Sequence, residues 1–559
     1  MNGLLSLIRS FDRVFWICIF MELMERMAYY GVRLVVPVYM VLAPSEGGAG
    51  LSHTEKGTIL ACWAAMQSWL PTFAGGLSDR FGYKRTIAVS VVLKTVGYAG
   101  MAMAGDFWTM LLGTQLLAAG TGLFKPGIQG TMAHSIARSN TADSGRIESM
   151  GWGLFYQSVN LGAAISAYIP IFTRDVYGWD SVFWVCSAIV CANFIPLMFY
   201  DDPKDERQKE PDTRSVGTLM RESIGGLFTS PVLMGFILIS AGFWFSFHQL
   251  FDMLPNYVDD WTDSTVLLAD VGGVFGFQSW IDRAASGVGI PQEQLLNINA
   301  ILIMTTMFLF AALSGRLRVL TSTILGMFIL TAAIGFFAVS ANVYVVLAGI
   351  VVYTIGEMLA SPKRQEYMSS LAPPGKRALY LGYANMPDGI GWVLGNLVAG
   401  GAYEIRGDKV NLCRKFLGGQ LDAVDWASFE RLYAGFDAGL REELQHEIVA
   451  RMELPATTSA EAAYAALAAS PEKLSLLPDV LPRGQVLSYA VEAVPTLPDG
   501  TATTLGSLRE HLFVTYQPGQ VWYVFMGIGA VSVVLMVVYD RWVRARLSVE
   551  LHARWHTGR

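Results

Sequence analysis

An apolar stretch near the N-terminus, FWICIFMELMERMAYYGVRLVVPVYMVL, is long enough to cross a bilayer yet carries Glu22, Glu25, Arg26, Tyr29, Tyr30 and Arg33. Positions 22, 25, 26, 29 and 33 step by three and four, so on a helix they share one face. Lipid cannot solvate that face, because an ionised side chain at the bilayer centre costs roughly 2.5–3.5 kcal/mol even on the mildest scale. Two acids and two bases in one such helix demand a wet or protein-lined interior where they pair. A simple membrane anchor supplies no such interior.

Of 559 residues, 53% are hydrophobic and 15% charged, against about 25% charged in an ordinary soluble domain. Segments able to span a bilayer fall near 14–41, 55–78, 85–104, 107–133, 151–173, 180–200, 229–255, 293–315, 318–340, 343–369, 377–403 and 519–540. The polar run DDPKDERQKEPDTRSVGTLMRES divides these twelve six and six. The expected fold is therefore an all-α integral membrane protein of two six-helix halves. Its divisions are an N-terminal bundle at 1–200, a linker at 201–228, helices seven to eleven at 229–403, a soluble insert at 404–518, and helix twelve with a tail at 519–559. The insert has good helix formers punctuated by Pro455, Pro471, Pro478 and Pro482, and it reads as a packing appendage without a site.

Lys and Arg orient the spans. With the N-terminus cytoplasmic, the short outside connections hold only Lys56, Arg174 and Arg283, while the inside loops and tails hold the rest of the loop cations, Lys363 and Arg364 among them. Both termini are expected inside and the insert outside. MNGLLSLIRSFDR lacks a small-residue cleavage site and reads as a retained cytoplasmic tail. Five cysteines form no CxxC pair, so neither a metal site nor a disulfide framework is expected. The absence of P-loop, HExxH and GxSxG patterns argues against an ATP-driven pump and against an enzyme.

Intramembrane charges recur at every third helix: the first-span stripe, Lys125 in span four, His248 and Asp252 in span seven, and Glu357 in span ten. Nested three-helix repeats, with one helix of each lining a central path, would produce that pattern. The competing explanation for any one charge is a structural ion pair that fixes helix registry. Lys94 in span three breaks the pattern; it either snorkels or pairs with an acid the sequence does not identify.

ELMERMAYYG, Glu22 to Gly31, resembles the ExxERFxYYG signature of proton-dependent oligopeptide transporters in the major facilitator superfamily, with Met27 where Phe is usual. GGLSDRFGYKR, GTGLFKP, FYQSVNLGA, FWFSFHQ, NAILI and GEMLASP follow in order and are similar to that family's loop motif and its segments in spans four, five, seven, eight and ten. The resemblance covers the twelve spans and not the insert. His248 stands where an acid is usual, Trp69 where a substrate-facing Tyr is common, and Asp388 where an aromatic is expected.

The resemblance implies a proton symporter for di- and tripeptides or peptide-like zwitterions, working by alternating access in a bacterial inner membrane. Glu22, Glu25, Arg26 and Lys125 would couple the proton. Arg33, Lys125 and Asn160 would receive the substrate carboxylate and Glu357 its amino group. Tyr29, Tyr30, Trp69, Tyr156, His248 and Asn299 would complete the site. Asp79, Arg80, Lys84 and Arg85 would latch helix ends in one gate state, and Asp252 would pair with Arg33 or with His248. No cofactor or metal is implied beyond protons. The implied partners are a small-molecule substrate and the bilayer, not nucleic acid, with a monomer as the working unit. Two alternatives remain open: a symporter for another small anion or zwitterion, and a transporter-fold sensor that binds without flux.

Overall fold

The computed structural model describes residues 11–138, 144–201, 230–372, 380, 383–420 and 425–557. Twelve long helices carry the bundle: α1 (Arg13–Tyr39), α2 (His53–Phe81), α3 (Tyr83–Ala102), α4 (Phe107–Arg138), α5 (Ser144–Ser166), α6 (Asp180–Cys191), α7 (Pro231–Phe247), α8 (Gln292–Gly315), α9 (Val319–Val339), α10 (Val343–Leu371), α11 (Met386–Arg406) and α12 (Trp522–Thr557). Their starts follow local chemistry. Asp12 caps α1 by accepting from the Phe15 amide, and Ser52 with Glu55 forms a capping box on α2. Among the described residues seven helices are long and apolar enough to cross a membrane; α1, whose charged stripe dilutes its apolar run, is not one of them. The linker 201–228 lies outside the described residues except for Asp201.

Two apolar cores organise the chain. One is built from α1 to α6, for example Phe15, Trp63, Tyr98, Phe124 and Phe183. The other runs from α7 to α12 and continues without a break into the insert, through Phe429, Ile448, Leu467, Tyr489 and Leu512. The insert is thus packed as an extension of the C-terminal half. The connection between α7 and α8, read from the sequence as short, holds helices Leu254–Trp261, Thr265–Phe275 and Gln278–Ala285. Thr265–Phe275 is apolar, but its 11 residues reach only about 16 Å, too short to span.

The halves meet along α2–α11 and α5–α8. At the end of the bundle that carries the insert, α2 and α11 approach backbone to backbone. A Cβ on Gly57 would lie 2.6 Å from the Asn396 carbonyl and 2.9 Å from the Gly400 Cα, so only glycine fits. That end is drawn tight, and the space between the halves lies beneath it.

Candidate functional site

Between the halves is a cavity of about 360 Å³. Arg26, Tyr29, Tyr30, Arg33, Gln67, Lys125, Tyr156 and Asn160 line it from the first half; His248, Asn299, Glu357, Ser361, Arg364 and Asp388 line it from the second.

Behind the first wall, α1 packs its acids inward. Arg26 bonds the Glu25 carboxylate and lies 3.4 Å from Glu22. Lys94 reaches across from α3 to the other Glu25 oxygen, with its ammonium 4.5 Å from the Phe124 ring centre. Lys94 therefore does not snorkel: its acid is Glu25, on a helix 69 residues away in sequence. Glu22 is fully buried, and neither of its oxygens accepts a hydrogen bond among the described residues. Tyr29 accepts from Gln67, which in turn accepts from Trp63. Lys125 is half-buried in the cavity wall and has no hydrogen-bond or ion-pair partner among the described residues.

Arg33 pairs with Asp252, so of the two expected pairings for Asp252 the structure has the one with Arg33. The guanidinium sits between the Trp63 and Trp392 rings, 5.7 and 5.2 Å from their centres, and Trp392 donates to the same Asp252 carboxylate at 2.6 Å. The pair is buried and shared between halves, which makes it a closure contact.

On the second wall, Asn299 donates to Glu357 at 2.8 Å and to Thr354 at 3.0 Å. His248 bonds Asp388 at 2.9 Å and stacks on Trp392, with centres 4.3 Å apart. Arg364 lies 3.6 Å from the same Asp388 carboxylate and 4.2 Å from the Trp244 ring centre. The sequence counts Arg364 with the cytoplasmic cations at the end of the span at 343–369; in the structure α10 runs through Pro362 to Leu371, and Arg364 follows Glu357 by seven residues on the same helix face, so it lines the cavity. That spacing was the signal that could have found it.

Some expected residues lie elsewhere. Trp69 is absent from the cavity wall: it is 45% exposed and packs at Gly389 of α11, and α2 turns Gln67 to the cavity instead. The side chains of Asp79 and Arg80 lie outside the described residues. Lys84 donates to the Tyr200 carbonyl at 2.6 Å and lies 3.9 Å from Asp201, tying α3 to the end of the α6 region. Arg85 is exposed on α3.

Polar contacts close the cavity at the insert end. Lys56 donates to Asn256 at 2.7 Å and lies 3.4 Å from the Asp252 carbonyl, Asn256 donates to the Pro37 carbonyl, and Gln292 donates to the Leu34 carbonyl. Arg174 meets Glu293 at 2.8 Å on the α5–α8 side. Each of these joins the first half to the second.

Two helical halves around one charged, two-walled cavity define the class, and the Major Facilitator Superfamily model matches residues 15–396; the chain belongs to that superfamily. It is similar to dipeptide and tripeptide permease A of Salmonella typhi, 29% identical over 173 residues, which is 31% of this chain and 32% of the permease. The chain thus spans about a third of the length of the curated relatives it matches. Its fold is like that of the peptide transporter POT crystallised with sulfate (TM-score 0.56, 18% identity, 69% of this chain and 88% of that one). It is also like that of a POT family transporter crystallised with 5-aminolevulinic acid (TM-score 0.58, 16% identity, 71% and 92%).

Proposed function

We propose that the chain is a proton-coupled symporter that imports di- and tripeptides or peptide-like zwitterions across a bacterial inner membrane. One observation carries the reading: among the described residues the cavity sets an unpaired cation, Lys125, on one wall and Glu357, bonded by Asn299 and without a cation, on the other. A zwitterion satisfies both at once. It lowers the free energy of the state in which the halves clasp it, and so couples binding to closure. The volume, about 360 Å³, falls in the range of small-molecule sites.

The proton enters through the cluster behind the first wall. Glu25 holds Arg26 and Lys94, so protonating it breaks two charge-assisted bonds, whereas protonating Glu22 breaks none. A proton on Glu22 removes its pull on Arg26, whose uncommitted Nη2 then turns to the substrate carboxylate beside Lys125. With the termini cytoplasmic and the insert outside, closure at the insert end makes this conformer the one open toward the cytoplasm.

A second reading, a symporter for another small zwitterion or anion, is favoured by the His248–Asp388–Arg364 group, which replaces residues usual in peptide transporters. The test is uptake of labelled dialanine into proteoliposomes with and without an inward proton gradient, wild type beside Lys125→Ala. Gradient-driven accumulation lost in the variant supports peptide symport. Absence of accumulation with retained binding to a small-anion panel moves the reading to the second substrate class, and binding without any flux points to a sensor.

A further inference from the structure

The insert is tied to both halves at the closed end of the pathway. Arg483 donates two parallel hydrogen bonds, 2.7 and 2.8 Å, to Asp408, the residue that ends the α11 segment and caps helix Lys409–Gly419. Asp408 is fully buried and also accepts from the Val410 amide. Its second oxygen lies 3.9 Å from His53 Nε2, on the first turn of α2, in the other half. His53 in turn lies against the tilted Tyr403 ring and contacts Lys56 at 3.1 Å, and Lys56 reaches Asn256. The His53 imidazole is buried, and its Nε2 has no hydrogen-bond partner among the described residues.

The insert also covers the α1–α2 corner of the first half. Helix Ala438–Arg451 packs on the turn Pro44–Glu46, Glu443 lies beside Ser45, and a Cβ on Gly484 would sit 3.2 Å from the Glu46 carboxyl carbon. Its attachment to the second half is stronger. The core is shared, and Arg509 bonds Asp263. In any motion that separates the halves at this end, the insert stays with the second half and parts from Ser45, Glu46 and His53.

His53, Asp260 and Asp408 also lie close enough to share a metal ion. The charge is already balanced there, with Arg483 on both Asp408 oxygens and Lys409 3.7 Å from Asp260. A divalent cation would have to displace two fixed positive groups, so the cluster is better explained as a latch.

We propose that the insert is the lid of the transport pathway, and that Arg483 is a positioning residue: clamped on Asp408, it holds the Gly484 turn against Glu46 of the first half and so sets how firmly the insert end closes. The proposal rests on the transport reading above. Removing Arg483 loosens the turn that docks on Glu46, which weakens the closed end while the lining of the substrate cavity stays in place.

The test uses full-length protein with its five cysteines replaced by alanine and Leu34→Cys as a reporter, in intact cells exposed to a membrane-impermeant maleimide. Leu34 lines the cavity and is 4% exposed, so the reagent reaches it from outside only when the lid end opens. Arg483→Ala is expected to speed labelling at position 34 several-fold, because only the docking on Glu46 differs between closed and open, with Arg483→Lys in between. A Glu46→Cys/Gly484→Cys pair, oxidised, is expected to stop both labelling of a buried reporter and dialanine uptake until reduced. Unchanged labelling in Arg483→Ala, or full uptake with the disulfide formed, overturns the proposal. Labelling needs no substrate, so accelerated labelling without any dialanine uptake counts against the peptide reading and leaves the lid standing.

Discussion

On the α1 side of the cavity Glu22, Glu25, Arg26 and Lys94 are at most 3% exposed and spend their charges on one another. On the α7–α11 side the side chains of His248, Arg364 and Asp388 keep 11%, 14% and 22% of their exposure and pair more loosely, at 2.9 and 3.6 Å. The first arrangement is a closed electrostatic unit whose state changes when a proton arrives. The second faces the solvent path and can exchange protein partners for a ligand. Burial separates the two roles, since a buried pair loses several kcal/mol when one partner is removed and a half-open pair is partly rescued by water.

The largest expected effect follows from breaking the closed unit. Glu25→Gln leaves Arg26 and Lys94 buried against a neutral amide, and should cost about 3–5 kcal/mol of stability and abolish proton-driven uptake. Thermal unfolding in detergent beside gradient-driven uptake checks both, and uptake that survives intact would erase the distinction between the walls. Next in size, Glu357→Gln should raise the KM for dialanine by about tenfold or more while moving stability little, because one charge-assisted contact to the substrate amine is lost. A collapse in stability instead would place Glu357 with the buried unit.

Asp388→Asn sharpens the comparison further. It frees Arg364 and His248 toward the cavity, and competition assays should show a few-fold gain for peptides with an acidic side chain over neutral ones. No change in that ratio would mean that the second wall does not meet the side chain.

The most condition-dependent effect concerns the lid end. Burial, with Asp408 and Asp259 adding to it against Lys409, raises Asp260 from 3.8 to about 6. The folded protein therefore holds a proton there that the unfolded chain does not, and this contribution to stability grows as pH falls through about 6 toward 3.8. The stability of Asp260→Asn relative to wild type should fall from pH 7.5 to 4.5 by at most about 2 kcal/mol, the size set by a shift from 3.8 to about 6. A pH-independent difference would remove Asp260 from the titrating groups.

Most of the first wall was readable in the chain. Glu22, Glu25, Arg26 and Arg33 share a helix face by spacing, and Lys125 stands out as a lone cation in apolar sequence. Trp69 was not, because residues 67 and 69 differ by about 200° on a helix and the packing of α11 at Gly389 decides which faces the cavity. Arg364 looked like a cation at the cytoplasmic end of span ten because sequence position does not show that its face turns to the cavity beside Asp388. The insert's docking was invisible for a different reason: Arg483 and Asp408 are 75 residues apart, and neither stands in a motif.

The sequence by itself determined that the chain has many membrane-length helices and that its charges must turn inward, because lipid refuses both bare backbone and bare charge. Tertiary structure alone decided the partners: Lys94 with Glu25, Arg33 with Asp252, His248 with Asp388 and Arg483 with Asp408. An ion pair is a contact between particular helix faces at one depth. That depth depends on how tightly helices such as α2 and α11 cross at Gly57 and Gly400, a quantity no single segment contains.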